Sequence, residues 1–377
     1  MSTPLNPSQS FNLSAVPAKR LADTPENRAQ LQTDAAKDGK PSLVAKQGND
    51  LLLLSGAYRT ESAIARTSAD EALSAGDAIT LNGKPAEILH TDDGYTEIDL
   101  SRVTVAVLDS GLEADHPAFA NSAILPGYDA KRKDAHVPDK VGHGTHVSGI
   151  IAGHLPEQGV AGPARGASLM PIKMSVSAVN PALMERLADS IRYAVDHGAH
   201  VINLSSGIDL RAPINGVLHA GKKHLVDEAL DYAEQKGVVV VVAAGNEGHK
   251  ASTKDSLTYP ASHPTVITVS NLDDTKREAG LKLNPSSGVG PEVDVAAPGT
   301  AIRSSVPGGK VAEMTGTSMA APYVSGIVAQ IIARHPDWTP AQIREHLYKT
   351  ATDLGEPGVD SRFGHGAVDA FKAIFGS

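Results

Sequence analysis

From Arg102 onward the chain repeats one pattern: a short run of apolar residues, then an amphipathic stretch of helical period. The runs are VTVAVL at 103–108, HVINL at 200–204, VVVVVAA at 238–244 and TVITVS at 265–270. They are apolar at consecutive positions, whereas a strand with one wet face would alternate. Helical stretches around 183–197 and 224–236 each stop at a glycine, Gly198 and Gly237, the residue type that accepts a left-handed helix end. Strands buried on both faces and separated by helices predict a three-layer α/β/α fold around a mostly parallel sheet. In such folds the working groups gather at the carboxyl ends of the strands.

Composition removes other classes. With 41% hydrophobic and 20% charged residues among 377, the chain has material for a large core and more than one domain. The 34 basic against 43 acidic residues, net −9, argue against nucleic acid or an anionic membrane as partner. Cysteine is absent, which excludes a disulfide framework, a thiolate metal site and a cysteine nucleophile. The longest apolar run, 238–244, is far short of the about 20 residues of a membrane-spanning helix. No apolar h-region opens the chain, so the expectation is a protein that stays in the cytoplasm or is exported without a leader.

The chain is expected to divide in three. Residues 1–49, rich in Ser, Pro, Asn, Gln and charge, carry no apolar period and are expected to be disordered. Residues 50–100 form a small α+β segment. Ser68 and Glu71 predict a capped helix over 68–75, and strands are predicted at 78–81, 86–90 and 95–99 around the turn signals Asn82-Gly83 and Asp93-Gly94. Residues 101–377 form the α/β domain.

Three boundaries in that domain carry unusual side chains. One run ends in Leu108-Asp109-Ser110-Gly111. A second segment reads Gly142-His143-Gly144-Thr145-His146-Val147, an imidazole at the start of a helix. A third reads Thr315-Gly316-Thr317-Ser318-Met319-Ala320-Ala321-Pro322, a serine opening a long apolar helix that reaches about Arg334. Singly, each has an ordinary reading: a turn, a solvated histidine, an N-cap. Two other patterns carry nothing. Residues 216–222 (GVLHAGK) satisfy G-x-x-x-x-G-K, but Lys223 stands where a phosphate loop needs Ser or Thr. His143 and His146 are spaced like metal ligands, yet no third ligand accompanies them.

Together, in the order Asp, His, Ser and with the flanks DSG, HGTHVSGIIAG and GTSMAAP, these segments resemble the subtilisin-like serine proteases (subtilases, peptidase S8). The resemblance runs from about 102 to 377 and includes HVINLS, VVVAAGNEG, YPAS, GPEVDVAAPG and a closing FGHGAVDAFKAI like the family's terminal helix. It implies a serine endopeptidase working through an acyl-enzyme, with Ser318 as nucleophile, His143 as base and Asp109 orienting the imidazole. His146 is then structural. Asn246, otherwise a turn residue, matches the side-chain donor of the oxyanion hole, beside the Ser318 N–H. Ser205, Ser206 and Gly207 match the edge that pairs with an extended polypeptide, and Ala243, Ala244 and Gly245 the opposite wall. The chemistry needs no cofactor.

The segment before Arg102 does not resemble the family's usual inhibitory prodomain, but a folded stretch of about 50 residues directly upstream is placed to block the cleft, so the expectation is an intramolecular inhibitor on a monomeric enzyme, with an accessory segment as the alternative. A structural calcium of the family loses its carboxylate here, because His116-Pro117 is followed by Ala118, and its loop carries Pro156. What remains is either a weak calcium site at Glu292 and Asp294 or ordinary surface acidity there. Ile208 replaces the family's second glycine after Gly207, the following loop to about Lys223 is longer, and Ser175-Val176-Ser177-Ala178 replaces a glycine-rich edge. The alternative is a catalytically silent binding homologue. An α/β-hydrolase esterase is excluded for want of a G-x-S-x-G elbow.

Overall fold

The long valine run of 238–244 explains the architecture, because its alternate side chains serve two separate cores. Val239, Val241 and Ala243 enter one cluster with Val105, Val107 and Val201; Val240 and Val242 enter the other with Ala106, Leu108 and Ile202. A strand that is apolar on both faces belongs in the middle layer of three. The computed structural model describes residues 100–155, 158–174, 182–208, 221–248, 255–275 and 280–375, together with seven strands between residues 11 and 91.

The chain divides into two compact units between Ile98 and Asp99. The first contains β1 (Phe11–Ser14), β2 (Lys19–Ala22), β3 (Ser42–Gln47), β4 (Asp50–Ser55), β5 (Arg59–Thr60), β6 (Ala78–Leu81) and β7 (Lys84–Thr91). They form one sheet in the order β2-β4-β3-β7-β6-β1-β5, antiparallel except for the β1–β6 pair. The expected strand at 78–81 is β6 and that at 86–90 lies within β7; the helix at 68–75 and the strand at 95–99 fall outside the described residues. Strands β1, β2 and β3 lie inside the 1–49 stretch for which composition gives the expectation of disorder, so the division of the first hundred residues stands as a proposal.

In the second unit the strands are β8 (Thr104–Asp109), β9 (Tyr128–Asp129), β10 (His154–Leu155), β11 (Val160–Ala161), β12 (Ser168–Lys173), β13 (Val201–Leu204), β14 (Val239–Ala243), β15 (Val266–Asp273), β16 (Lys282–Leu283), β17 (Val295–Pro298), β18 (Ile302–Val306) and β19 (Lys310–Met314). The helices are α1 (His143–Ala152), α2 (Leu183–Asp196), α3 (Lys223–Gln235), α4 (Thr317–Arg334), α5 (Pro340–Thr350) and α6 (Ala370–Phe375). The main sheet runs β16-β15-β14-β13-β8-β12-β9, with β17 against β15, and every pair is parallel except β15–β16.

Helices α1 and α4 supply Val147, Ile151, Val324, Ile327 and Val328 to one face of this sheet; α2 and α3 supply Leu187, Ile191, Val226 and Leu230 to the other. The three-layer, mostly parallel arrangement expected from the sequence is the one observed. Gly198 and Gly237, with φ of 81° and 80°, end α2 and α3 in the left-handed region where a side chain would be strained. Within this order β8 has β13 on one side and β12 on the other, so successive connections leave in opposite directions. The crevice this opens lies at the carboxyl ends, where Asp109, Ser205 and the residues after Ala243 all sit.

Candidate active site

Asp109 is the last residue of β8 and is almost wholly buried, 3% exposed. His143 is the first residue of α1. Its Nδ1 lies 2.8 Å from Asp109 Oδ1 and 2.9 Å from Oδ2, so Nδ1 carries the proton and donates, and Nε2 is left as the basic nitrogen. The close approach has a local cause: Gly144 packs against the Gly111 carbonyl, and any β-carbon at 144 would collide with it. Burial pulls the His143 pKa down, but the hydrogen bond and charge of Asp109, joined by the charge of Asp139, outweigh it and hold the imidazole above its ordinary 6.5.

Ser318 is the second residue of α4, and its Oγ donates to the Ser205 carbonyl at 2.8 Å. The return contact has a covalent reason. Pro322 inside α4 has no N–H for the carbonyl four residues back, which is that of Ser318. The freed carbonyl accepts from Ser205 Oγ at 3.0 Å, Ser205 Oγ accepts from Asn203 Nδ2 at 2.9 Å, and Asn203 Oδ1 accepts from Ser325 Oγ at 2.9 Å. A buried polar chain thus fixes the first turn of α4 against the end of β13.

Asn246 lies three residues past β14. Its Oδ1 accepts from Thr317 N at 3.0 Å and Thr317 Oγ1 at 3.2 Å, and Thr317 Oγ1 in turn accepts from Gly245 N at 3.1 Å. With its oxygen committed to Thr317, the amide must turn its NH2 outward. Of the expected substrate walls, Ala244 and Gly245 have carbonyls taken by Thr258 N (3.0 Å) and Gly288 N (2.6 Å). Ile208 pairs with Tyr259 through two backbone bonds of 2.8 and 2.9 Å. Ser206, Gly207 and Ile208 join Met174, Leu183, Leu187 and Tyr259 around a mostly apolar cavity of about 150 Å³. Residues 175–178 and most of the long loop after Ile208 fall outside the described residues.

His146 sits away from this group, fully buried. Its Nε2 donates to the carbonyls of Ile302 and Ala312, both at 3.1 Å, and so pins α1 to the β18–β19 hairpin. Burial depresses its pKa to about 4. The native imidazole stays neutral down to that pH, while the unfolded chain gains a proton from 6.5 downward. Stability present above pH 6.5 should therefore be lost as pH falls toward 4, by about 3 kcal/mol from this group. In a Ser318→Ala background, melting curves from pH 7 to 4 should show this loss, and His146→Gln should flatten it. Equal slopes in both proteins would remove the assignment.

The glutamate–aspartate pair fits a cation poorly. Asp294 Oδ1 accepts from Tyr348 OH at 2.6 Å and Oδ2 from Thr268 N at 2.7 Å, while burial raises its pKa to about 6. A hard cation wants ionised oxygens free to face it. Glu292 and Asp294 therefore do not make a calcium site.

Five contributors were not anticipated. Thr317 orients Asn246; Pro322 and Asn203 position Ser318; Asp139 and Ser110 tie α1 to β8. An aspartate just ahead of a helix start and a proline six residues into an apolar helix are the signals that point to them.

Residues 101–366 match the Peptidase_S8 family model, described as the Subtilase family. Subtilisin NAT of Bacillus subtilis subsp. natto is 37% identical over 273 residues, 72% of this chain and 65% of that relative, so the match spans just under two thirds of the relative's length. Among solved structures, fervidolysin from Fervidobacterium pennivorans, a keratinolytic enzyme related to subtilisin, superposes with a TM-score of 0.63 at 33% identity, over 76% of this chain and 44% of that one. MycP1 with its N-terminal propeptide removed gives 0.61 at 29% identity, over 75% and 94%. The fold is that of subtilisin-like proteases. The chain belongs to the subtilase family.

Proposed function

We propose that this protein is a serine endopeptidase that hydrolyses extended polypeptides through an acyl-enzyme, with Ser318, His143 and Asp109 as the reacting triad. The observation that carries the reading is the buried Asp109 carboxylate on His143 Nδ1, which frees Nε2 as a base at the crevice where Ser318 opens α4. The substrate pairs along Ser205, Ser206 and Gly207, with an apolar side chain in the adjoining cavity and Ala243, Ala244 and Gly245 as the facing wall. The Ser318 hydroxyl leaves the Ser205 carbonyl, gives its proton to His143 Nε2 and attacks the scissile carbonyl carbon. Asp109 keeps the imidazole in the needed tautomer and stabilises the imidazolium. Negative charge on the carbonyl oxygen meets the Asn246 NH2 and the Ser318 N–H, aided by the positive end of α4. His143 then protonates the leaving amine, and water, activated by the same imidazole, releases the acid and restores Ser318.

A fluorophosphonate probe should label the protein, and Ser318→Ala should abolish the labelling. Labelling that survives this substitution would place the nucleophile elsewhere, and no labelling of the wild type would favour the silent binding homologue.

The first unit is proposed as an intramolecular inhibitor of a monomeric enzyme. Its separation from the second unit at Ile98–Asp99 and the propeptide named for MycP1 support that reading. Mass spectrometry of the purified chain over time should find self-cleavage between about Tyr95 and Arg102, absent in Ser318→Ala. A full-length chain that is fully active would refute it.

A further inference from the structure

We infer that Asp139, a carboxylate outside the triad, is a positioning residue that sets the catalytic histidine on its orienting aspartate. This rests on the reading of Asp109 and His143 given above. The residue preceding α1, Gly142, has no side chain to cap the helix, so the first N–H groups of α1 must find acceptors elsewhere. Asp139 supplies them from a distance. Its Oδ2 accepts from Thr145 N at 2.8 Å and Thr145 Oγ1 at 2.7 Å. Its Oδ1 accepts from Gly142 N at 2.8 Å, Val141 N at 2.9 Å and Ser110 Oγ at 2.9 Å. Ser110 Oγ then accepts from Gly144 N at 2.9 Å. Ser110 directly follows Asp109, and its N–H donates to Asp109 Oδ1 at 2.7 Å. One buried carboxylate, 8% exposed, thereby joins the start of the helix that begins with His143 to the end of the strand that finishes with Asp109.

Five donors converge on this carboxylate. Burial works to raise its pKa, yet the N–H groups of Gly142, Thr145 and Val141 and the Thr145 hydroxyl keep it below the ordinary value. It therefore stays charged wherever the enzyme works. The neighbouring cation is occupied otherwise: Lys173 Nζ donates to the carbonyls of Ser110 (2.8 Å) and Pro138, bracketing the same two loops without touching the acid. The groups bearing on His143 are Asp109 on β8, Asp139 ahead of α1 and His146 on its own helix, the last being neutral. Glu113 is turned away onto Gly308 and Gly309 of the β18–β19 turn. Asp139 thus acts on His143 twice, through the placing of α1 and through its charge.

The two actions separate in two variants. Asp139→Asn is isosteric but loses acceptors and charge; Ser110→Ala breaks the bridge and keeps the charge. In the wild type, activity should fall as acid protonates His143. In Asp139→Asn, kcat should drop by about 10²-fold, the effect of a displacement on the order of 1 Å at reacting groups, with KM nearly unchanged. The acid limb of kcat/KM should move to lower pH, because a charge that favours the imidazolium is gone. In Ser110→Ala, kcat should fall with the acid limb in place. Activities are normalised to fluorophosphonate-titrated sites, so misfolded protein does not count. NMR titration of His143 reads the shift in Asp139→Asn, and its absence in Ser110→Ala, without turnover, so failure of the protease reading would leave this test standing. If Asp139→Asn folds and keeps both kcat and the His143 titration of the wild type, or if Ser110→Ala alone does so should Asp139→Asn not fold, the inference is wrong.

Discussion

Ser318→Ala should lower kcat on a peptide substrate by on the order of 10⁶, the size subtilisin itself supplies for its nucleophile, with KM little changed. His143→Ala should cost about the same and Asp109→Asn about 10⁴, since the imidazole can still act when it happens on the right tautomer. The double variant Ser318→Ala/His143→Ala should be no worse than either single one. Without a hydroxyl there is no proton for the base to take, and without the base the hydroxyl is too weak a nucleophile to use. The geometry makes this non-additivity specific. The Asp109–His143 pair is built by β8 and α1, while Ser318 is held by a separate polar chain through Ser205 and Asn203. Removing the Ser318 hydroxyl should therefore leave the pair and the fold untouched, and circular dichroism and melting temperature should match the wild type. Independent, multiplying losses measured by steady-state kinetics would mean that the three side chains do not act as one unit.

How much of this could be read from the sequence follows from which physical signals are local. The layers were legible because a strand buried on both faces must be apolar throughout, and 238–244 is. The ends of α2 and α3 were legible because only glycine sits easily at φ near 80°. Residues Asp109, His143, Ser318 and Asn246 stand out as candidates because each lies in a long, specific string, and the resemblance supplies the roles proposed for them. What stayed hidden depends on partners far apart in the chain. Nothing near Pro322 says that the carbonyl it frees will meet Ser205, 113 positions from Ser318. Nothing near Asp139 says that Ser110, 29 positions back, will share it. Asp294 read as a weak cation ligand because Glu292 stands two positions away; Tyr348 and Thr268, which enclose it, come from other elements.

Asn246→Leu should lower kcat by about 10²–10³, or roughly 3–4 kcal/mol, and scarcely move KM; subtilisin supplies this magnitude for a donor of the same kind. The structure explains why kcat should carry the loss. Thr317 holds the amide oxygen through its N–H and its hydroxyl, so the NH2 is aimed before substrate arrives and needs no rearrangement when charge develops. A ground-state carbonyl is a weak acceptor for that donor, while the tetrahedral oxyanion is a strong one, so the hydrogen bond contributes mainly at the transition state. Leucine keeps the volume and removes the donor. It also strips the acceptor from Thr317 N and Oγ1 at the start of α4. Thr317→Val separates the two effects: it loosens the amide while leaving the donor in place, so its loss in kcat should be smaller. In Asn246→Leu the valine substitution should then add almost nothing, because there is no amide left to aim. A KM that rises as kcat holds would instead make Asn246 a contact to bound substrate, and equal losses from Thr317→Val with and without Asn246 would separate the threonine from the amide altogether.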